Sequence, residues 1–284
     1  MAMGTPHVTY RPMEESDLPA AARILTESYR AQGVAAEFSA YTLRTVILPQ
    51  YGIDLADCVA AEAEGEVAGV LLLAVDREAR DSYVFGWNVR PALWRARIGL
   101  GLEKRYTEKH RELGLQTGWA CIGSFRNVER YRAIGFRPVR TLSCFEAPPG
   151  AHPPPAGWEI CPADLEAVAA AWPRLPAAPP HWPAQWRQVR HYAARPPWQM
   201  LLARSGGTTG ATAVWRKELL VGEVGALTFN DRDASGALLG HLRRLAGISL
   251  RFRLVPVDDP LHGLLEESGF PRTAEYTEIR RDRF

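Results

Sequence analysis

The sequence predicts an α/β (α+β) chain with a mixed sheet, laid down twice. Three observations carry this. Short runs of β-branched and aromatic residues alternate with stretches of helical period throughout the 284 residues. An opening pattern, YRPMEESDLPAAARIL, returns as GWEICPADLEAVAAAW, and a closing pattern, RYRAIGFRPVRTLSCFE, returns as LLEESGFPRTAEYTEIR.

The elements follow in order. Asp17 and Asp164 stand at helix N-cap positions ahead of alanine-rich helices. A second helical segment follows around Ser39 to Leu48, and CVAAEAEGEVAGVLLLAV gives two strands joined by a turn near Glu64-Gly65. SYVFGWNV is the next strand. IGLGLEKRYTEKHRELG then places Ile98, Leu102, Tyr106 and Leu113 on one helical stripe, and LQTGWACIG is a strand. In the second half MLLARSG, ATAVWRK, LLVGEVGAL and SLRFRLVPV read as strands, with a helix in DASGALLGHLRRLAG that aligns Leu238, Leu242 and Leu245. Each half closes on a helix stopped by glycine, at Gly135-Phe136 and Gly269-Phe270, because glycine adopts positive φ without strain. The proline-rich stretch APPGAHPPPAGW separates the halves, so the expected domains are 1–147 and 157–284 with a stiff linker at 148–156.

Composition excludes several classes of function. At 46% hydrophobic residues the chain can bury a core in each half. Its longest apolar run, Val67 to Val75, is far short of the roughly 18 residues of a bilayer span. The start, MAMGTPHVTY, lacks the features of a secretion signal, and a cytoplasmic location is expected. The scattered cysteines, Cys58, Cys121, Cys144 and Cys161, are expected reduced, and the seven histidines form neither HxH nor HExxH, so no metal is expected. A net charge of +2, from 34 basic and 32 acidic residues, speaks against nucleic-acid binding. Trp182, Trp186 and Trp198 lie in a proline-rich stretch that reads equally as a binding surface or as irregular packing.

The stretch WRARIGLGL, Trp94 to Leu102, stands where a strand ends and a helix begins. An open helix N-terminus attracts anions, and Arg95 and Arg97 flank it. It is neither GxxxxGK[ST] nor GxGxxG after a first strand, which removes support for nucleotide hydrolysis and dinucleotide binding.

Val89-Arg90-Pro91, Ile98-Gly99-Leu100-Gly101-Leu102 and Tyr131 to Phe136 (YRAIGF) occur in this order. They resemble the V-x-P, I-G-x-x-L and Y-x-x-x-G-F motifs of the GNAT superfamily of acyl-CoA-dependent N-acetyltransferases, and the duplicated element order resembles its tandem members. The resemblance implies a mostly antiparallel sheet in each half and acetyl-CoA as acyl donor. It implies a fourth strand splayed from the fifth, with backbone at Trp87, Asn88 and Val89 binding pantetheine. The pyrophosphate would meet Trp94, Arg95, Ala96, Arg97, Ile98, Gly99 and Leu100. In the register fixed by Val89, Arg97 takes the place of the family's first phosphate-loop glycine and Trp94 that of its Gln or Arg. As a residue just inside a helix, Arg97 is expected at negative φ. Tyr131 would be the general acid, with Ser124 and Asn127 hydrogen-bonding nearby. The fourth strand carries no acid; Asp81, Glu62 and Glu64 are the nearest candidate bases, and water or substrate-assisted deprotonation is expected instead. The second half has Leu265 in the place of Tyr131 and is expected to bind no CoA. The expected activity is transfer of an acetyl group to a primary amine of a small molecule or peptide by direct attack, by a monomer or homodimer with no membrane partner. The alternative is an inactive acyl-CoA-binding or ligand-sensing scaffold.

Overall fold

The structure is a computed structural model that describes residues 7–34, 36–123, 125–150, 157–172, 182–218 and 220–284. The chain forms two compact units that are not contiguous in sequence. Unit one comprises Met1–Cys121, Arg126–Pro138 and Ile279–Phe284; unit two comprises Ile122–Phe125 and Val139–Glu278. Much of the expected linker, 151–156, lies outside the described residues.

Unit one opens with β1 (Val8–Pro12) and α1 (Leu18–Ala31). Leu18, Ala21, Ala22, Ile24, Leu25 and Ser28 make the buried stripe of α1, at the i, i+3, i+4 spacing of a core-facing helix. Asp17 holds the N-cap position but does not cap through its side chain. Its carboxylate instead takes Arg11 at 2.7 Å, which holds it below the usual carboxylate range. Next come α2 (Ala40–Thr42), a π-helical turn (Leu43–Ile47) and α3 (Leu48–Tyr51), entered through a cap in which the Ser39 hydroxyl accepts from Thr42 N–H. Strands β2 (Val59–Ala63) and β3 (Glu66–Asp76) form a hairpin whose tip, Glu64-Gly65, has φ of 54° and 78°, the handedness that matches strand twist. They are followed by β4 (Asp81–Val89), α4 (Ile98–Glu112), β5 (Thr117–Ile122) and α5 (Phe125–Ala133). The order is β1-β2-β3-β4-β5; all pairs are antiparallel except β4 with β5.

The buried stripe of α4 is Ile98, Leu102, Tyr106 and His110. Leu113, expected in that stripe, is the half-buried C-cap, since the helix ends one residue before it.

Unit two repeats the plan. After β6 (Arg137–Ala147) come β7 (Glu159–Ala163), α6 (Leu165–Ala171), α7 (Trp186–Ala193), β8 (Gln199–Ser205), β9 (Thr208–Glu218) and β10 (Val221–Phe229). The chain continues through α8 (Arg232–Leu245), β11 (Ser249–Pro256), α9 (Pro260–Glu267) and β12 (Arg272–Arg281). The order is β12-β6-β11-β10-β9-β8-β7, with β10 and β11 parallel. Leu238 and Leu242 are fully buried, whereas Leu245, expected beside them, is 39% exposed at the last turn of α8. Trp182 is buried, Trp186 packs on Trp172 and Trp198 on Tyr192, so these tryptophans fill the unit's own aromatic core.

The two copies stop their last helices identically. Gly135 and Gly269 have φ of 91° and 72°. Phe136 N–H donates to Tyr131 O and Phe270 N–H to Leu265 O, which satisfies carbonyls that the helix end would leave orphaned.

Candidate active site

A fork opens between β4 and β5. Their parallel register runs from Asp81↔Thr117 only to Val84↔Ala120, while β4 stays paired with β3 as far as Val89. The separation begins at a bulge: Leu73 faces Val84 and Leu72 faces Gly86, leaving Phe85 extra. Phe85 and Gly86 therefore share the face toward α1. The Phe85 ring meets Tyr51 and Phe38, and a Cβ on Gly86 would stand 3.0 Å from Leu25 of α1. Trp87 takes the opposite face, with ring centroids 5.6 Å from Tyr106 and 6.2 Å from Tyr131. Beyond the bulge, Arg90 N–H donates to Ala68 O on the β3 side. By strand alternation the backbone groups of Val89 and Trp87 point the other way, into the fork. Trp94 Nε1 donates to Val89 O at 2.9 Å, so the connection after β4 is tied back to the strand it leaves.

Helix α4 starts at this mouth. Arg97 is its N-cap residue, with φ 59° and ψ 15°, and no side chain caps the first turn among the described residues. The expectation of negative φ at Arg97 is corrected: the helix begins one residue later, and Arg97 occupies the left-handed region that glycine favours. Its side chain is exposed, as is that of Arg95, and neither is ion-paired among the described residues. Ala96 is half-buried, Trp94 and Leu100 are 47% and 59% exposed, and Ile98 is buried against Gly69 of β3. The two glycines differ. A Cβ on Gly99 would meet nothing within 4 Å, whereas one on Gly101 would collide with Tyr10 of β1, whose hydroxyl donates to Ile98 O at 3.3 Å. Gly101 is a packing glycine; Gly99 leaves the first turn open to an approaching group.

Tyr131 lies in α5 on the Trp87 side of the fork. It is half-buried, and desolvation pushes its hydroxyl up to about 12. Asn88 is buried with its side chain on the α1 face, next to Gly86. Ser124 lies outside the described residues, as does the side chain of Asn127, which falls in α5. Behind the paired part of the fork, His110 Nε2 is 2.8 Å from Ser82 Oγ, Nδ1 is 3.0 Å from Tyr106 O, and the Phe284 ring stacks on the imidazole at 3.7 Å. Burial lowers His110 to about 4.

None of the three carboxylates nearest in sequence faces the fork as a free base. Glu62 is paired with Arg11 at 2.7 Å on β2, Glu64 is at the exposed hairpin tip, and Asp81 is buried at the far end of β4. Among the described residues no cluster of three or more His, Cys, Asp or Glu could hold a metal.

Unit two keeps the fork and closes the cradle. Strands β10 and β11 pair over four residues, Val221↔Ser249 to Val224↔Phe252, and a bulge falls at Gly225, the place of Phe85. A Cβ there would stand 2.8 Å from both Trp198 and the Tyr192 hydroxyl. Only Asn230 and Asp231 separate β10 from α8, and Asp231 Oδ1 accepts the Ala234 N–H at 2.8 Å. The N-terminus of α8 thus carries its own carboxylate, which satisfies a first-turn donor and repels an anion. Leu265, in the place of Tyr131, is fully buried. The helix expected in DASGALLGHLRRLAG is capped by Asp231, whose residue type just ahead of it is a local signal of that cap; neither the Trp94 bond to Val89 nor the bulge at Phe85 has a local signature.

The fork and the bulge recur in both units, so one fold is present twice in the chain. The fold is that of the tandem GCN5-related N-acetyltransferases. The structure of a GCN5-related N-acetyltransferase from Sphaerobacter thermophilus superposes with a TM-score of 0.73 at 22% identity, covering 98% of this chain and 97% of the other. A tandem GNAT protein from the clavulanic acid biosynthesis pathway gives 0.67 at 16% identity, covering 97% and 98%. A GCN5-related N-acetyltransferase from Anabaena variabilis gives 0.64 at 11% identity, covering 97% and 73%. No family model and no curated protein sequence matches the chain.

Proposed function

We propose that unit one binds acetyl-CoA in the β4–β5 fork and transfers its acetyl group to a primary amine by direct attack. The observation that carries this is the junction of an unpaired β4 edge with an uncapped helix start flanked by Arg95 and Arg97. Backbone N–H groups of the first turn of α4 and the two guanidinium groups would hold the pyrophosphate. The Trp87 backbone and the Val89 N–H would pair with the pantetheine amides in strand fashion, the Val89 carbonyl being held by Trp94. Acetyl-CoA supplies an activated thioester.

Tyr131 stays protonated at neutral pH because desolvation raises it to about 12. Against a thiol of pKa about 8.5, complete proton transfer from it would be uphill by about 5 kcal/mol. Tyr131 therefore serves as a hydrogen-bond donor to the departing sulfur. The amine must arrive neutral, and water or the substrate itself takes its proton.

The test is thiol release from acetyl-CoA across a panel of amines, with Tyr131→Phe as control. Transfer with a drop of about 100-fold in the variant's kcat supports the role. Equal release by both proteins removes Tyr131 from the mechanism.

A further inference from the structure

The α1-facing side of β4 carries an aromatic wall that acetyl-CoA binding leaves unused. Phe85, the bulged residue, is its hub: Tyr51 lies 4.9 Å away and Phe38 6.3 Å away, both edge-on, and Tyr29 is 5.6 Å from Phe38. All four residues are half-buried. Phe38 sits in the connection between α1 and α2, yet it is held in place. The Thr26 hydroxyl accepts its N–H at 2.9 Å and donates to its carbonyl at 3.4 Å. Tyr51 is presented by a helix that departs from α geometry, where Leu48 N–H reaches back to Leu43 O across the π-helical turn. Such turns recur at functional sites.

We infer that this wall receives the body of the acceptor, and that the acceptor is a primary amine carried on an aromatic or branched apolar group. The inference rests on the acetyl-transfer reading above. On this face β4 offers Tyr83, Phe85, Gly86 and Asn88; its one carboxylate there, Asp81, is buried at the first residue of the strand, four residues before Phe85. A polycationic amine would have to bury several charges against these rings with at most the one carboxylate of Asp81 on that face of β4 as counter-charge, which is costly. An amine on an apolar body fits the rings, and the same desolvation favours its neutral, nucleophilic form. The wall thus takes over part of the work of the base that the strand lacks.

The full chain is assayed for thiol release with 2-phenylethylamine, isoamylamine and spermidine, as wild type, Phe85→Leu and Phe85→Ala. The two apolar amines should be the better acceptors. Phe85→Ala should raise the KM for 2-phenylethylamine by about tenfold while leaving the KM for acetyl-CoA unchanged, with Phe85→Leu between. Preference for spermidine, or a KM for 2-phenylethylamine indifferent to Phe85, overturns the inference. A second arm needs no turnover: 2-phenylethylamine should quench protein fluorescence saturably in the wild type and about tenfold more weakly in Phe85→Ala. Binding of that kind without thiol release from any amine supports the wall and counts against acetyl transfer alone. Absence of binding overturns the wall, whatever the affinity for acetyl-CoA.

Discussion

Trp94 Nε1 donates to Val89 O at 2.9 Å, joining the first turn after β4 to the end of the strand itself. This bond fixes how the phosphate-facing connection leaves the fork. Trp94→Phe keeps most of the ring surface but orphans that carbonyl. The expected result is a loss of about 1 kcal/mol in unfolding free energy and an acetyl-CoA affinity weaker by roughly five- to tenfold. Chemical denaturation and calorimetric titration of the variant check both.

Arg97 holds a left-handed conformation that glycine adopts without strain. Arg97→Gly is therefore expected to be stabilising by up to about 1 kcal/mol, whereas Arg97→Ala, with strain retained, is not. Both should weaken acetyl-CoA binding modestly and flatten its salt dependence, because the exposed guanidinium adds charge at the helix start. Denaturation midpoints and titrations at two salt concentrations separate the two effects.

Gly99 and Gly101 look equivalent in the sequence and are not equivalent in space. Gly101→Ala should cost about 2 kcal/mol or more, since Tyr10 occupies the space of the new methyl group. Gly99→Ala meets open space and should change stability by no more than about 0.5 kcal/mol. Thermal unfolding of the two variants side by side is the check.

His110 gives a pH dependence with a defined sign. Its folded-state value is lowered to about 4 from 6.5, so the unfolded chain binds the extra proton between those values. The stability from keeping His110 neutral is complete above about pH 6.5 and is lost as pH falls toward 4, by about 3 kcal/mol. His110→Gln, which cannot titrate, should flatten that limb of the stability profile. A slope unchanged in the variant would assign it to other groups.

How much was legible in the sequence depended on whether the determinant was local. The glycine stops at Gly135 and Gly269 and the duplicated element order could be read because a helix stop is written in one or two residues. The position of the phosphate-side glycines came from Val89 and Pro91, a fixed distance along one chain. Arg97 was misread because its conformation turns on the helix starting one residue later, which periodicity does not resolve. The bulge at Phe85 was invisible, since it arises from the register of β4 against β3. The return of Ile279–Phe284 to unit one, which brings Phe284 onto His110, is a pairing over more than half the chain that no local pattern announces.

One of the two copies keeps an uncapped helix start, at α4, while α8 is closed by Asp231. Isothermal titration of the full chain with acetyl-CoA distinguishes the two helix starts. Saturable binding is expected at one site per chain, abolished or strongly weakened by Arg95→Glu with Arg97→Glu and untouched by Asp231→Asn. Two sites per chain, or no heat of binding at millimolar acetyl-CoA, would contradict it.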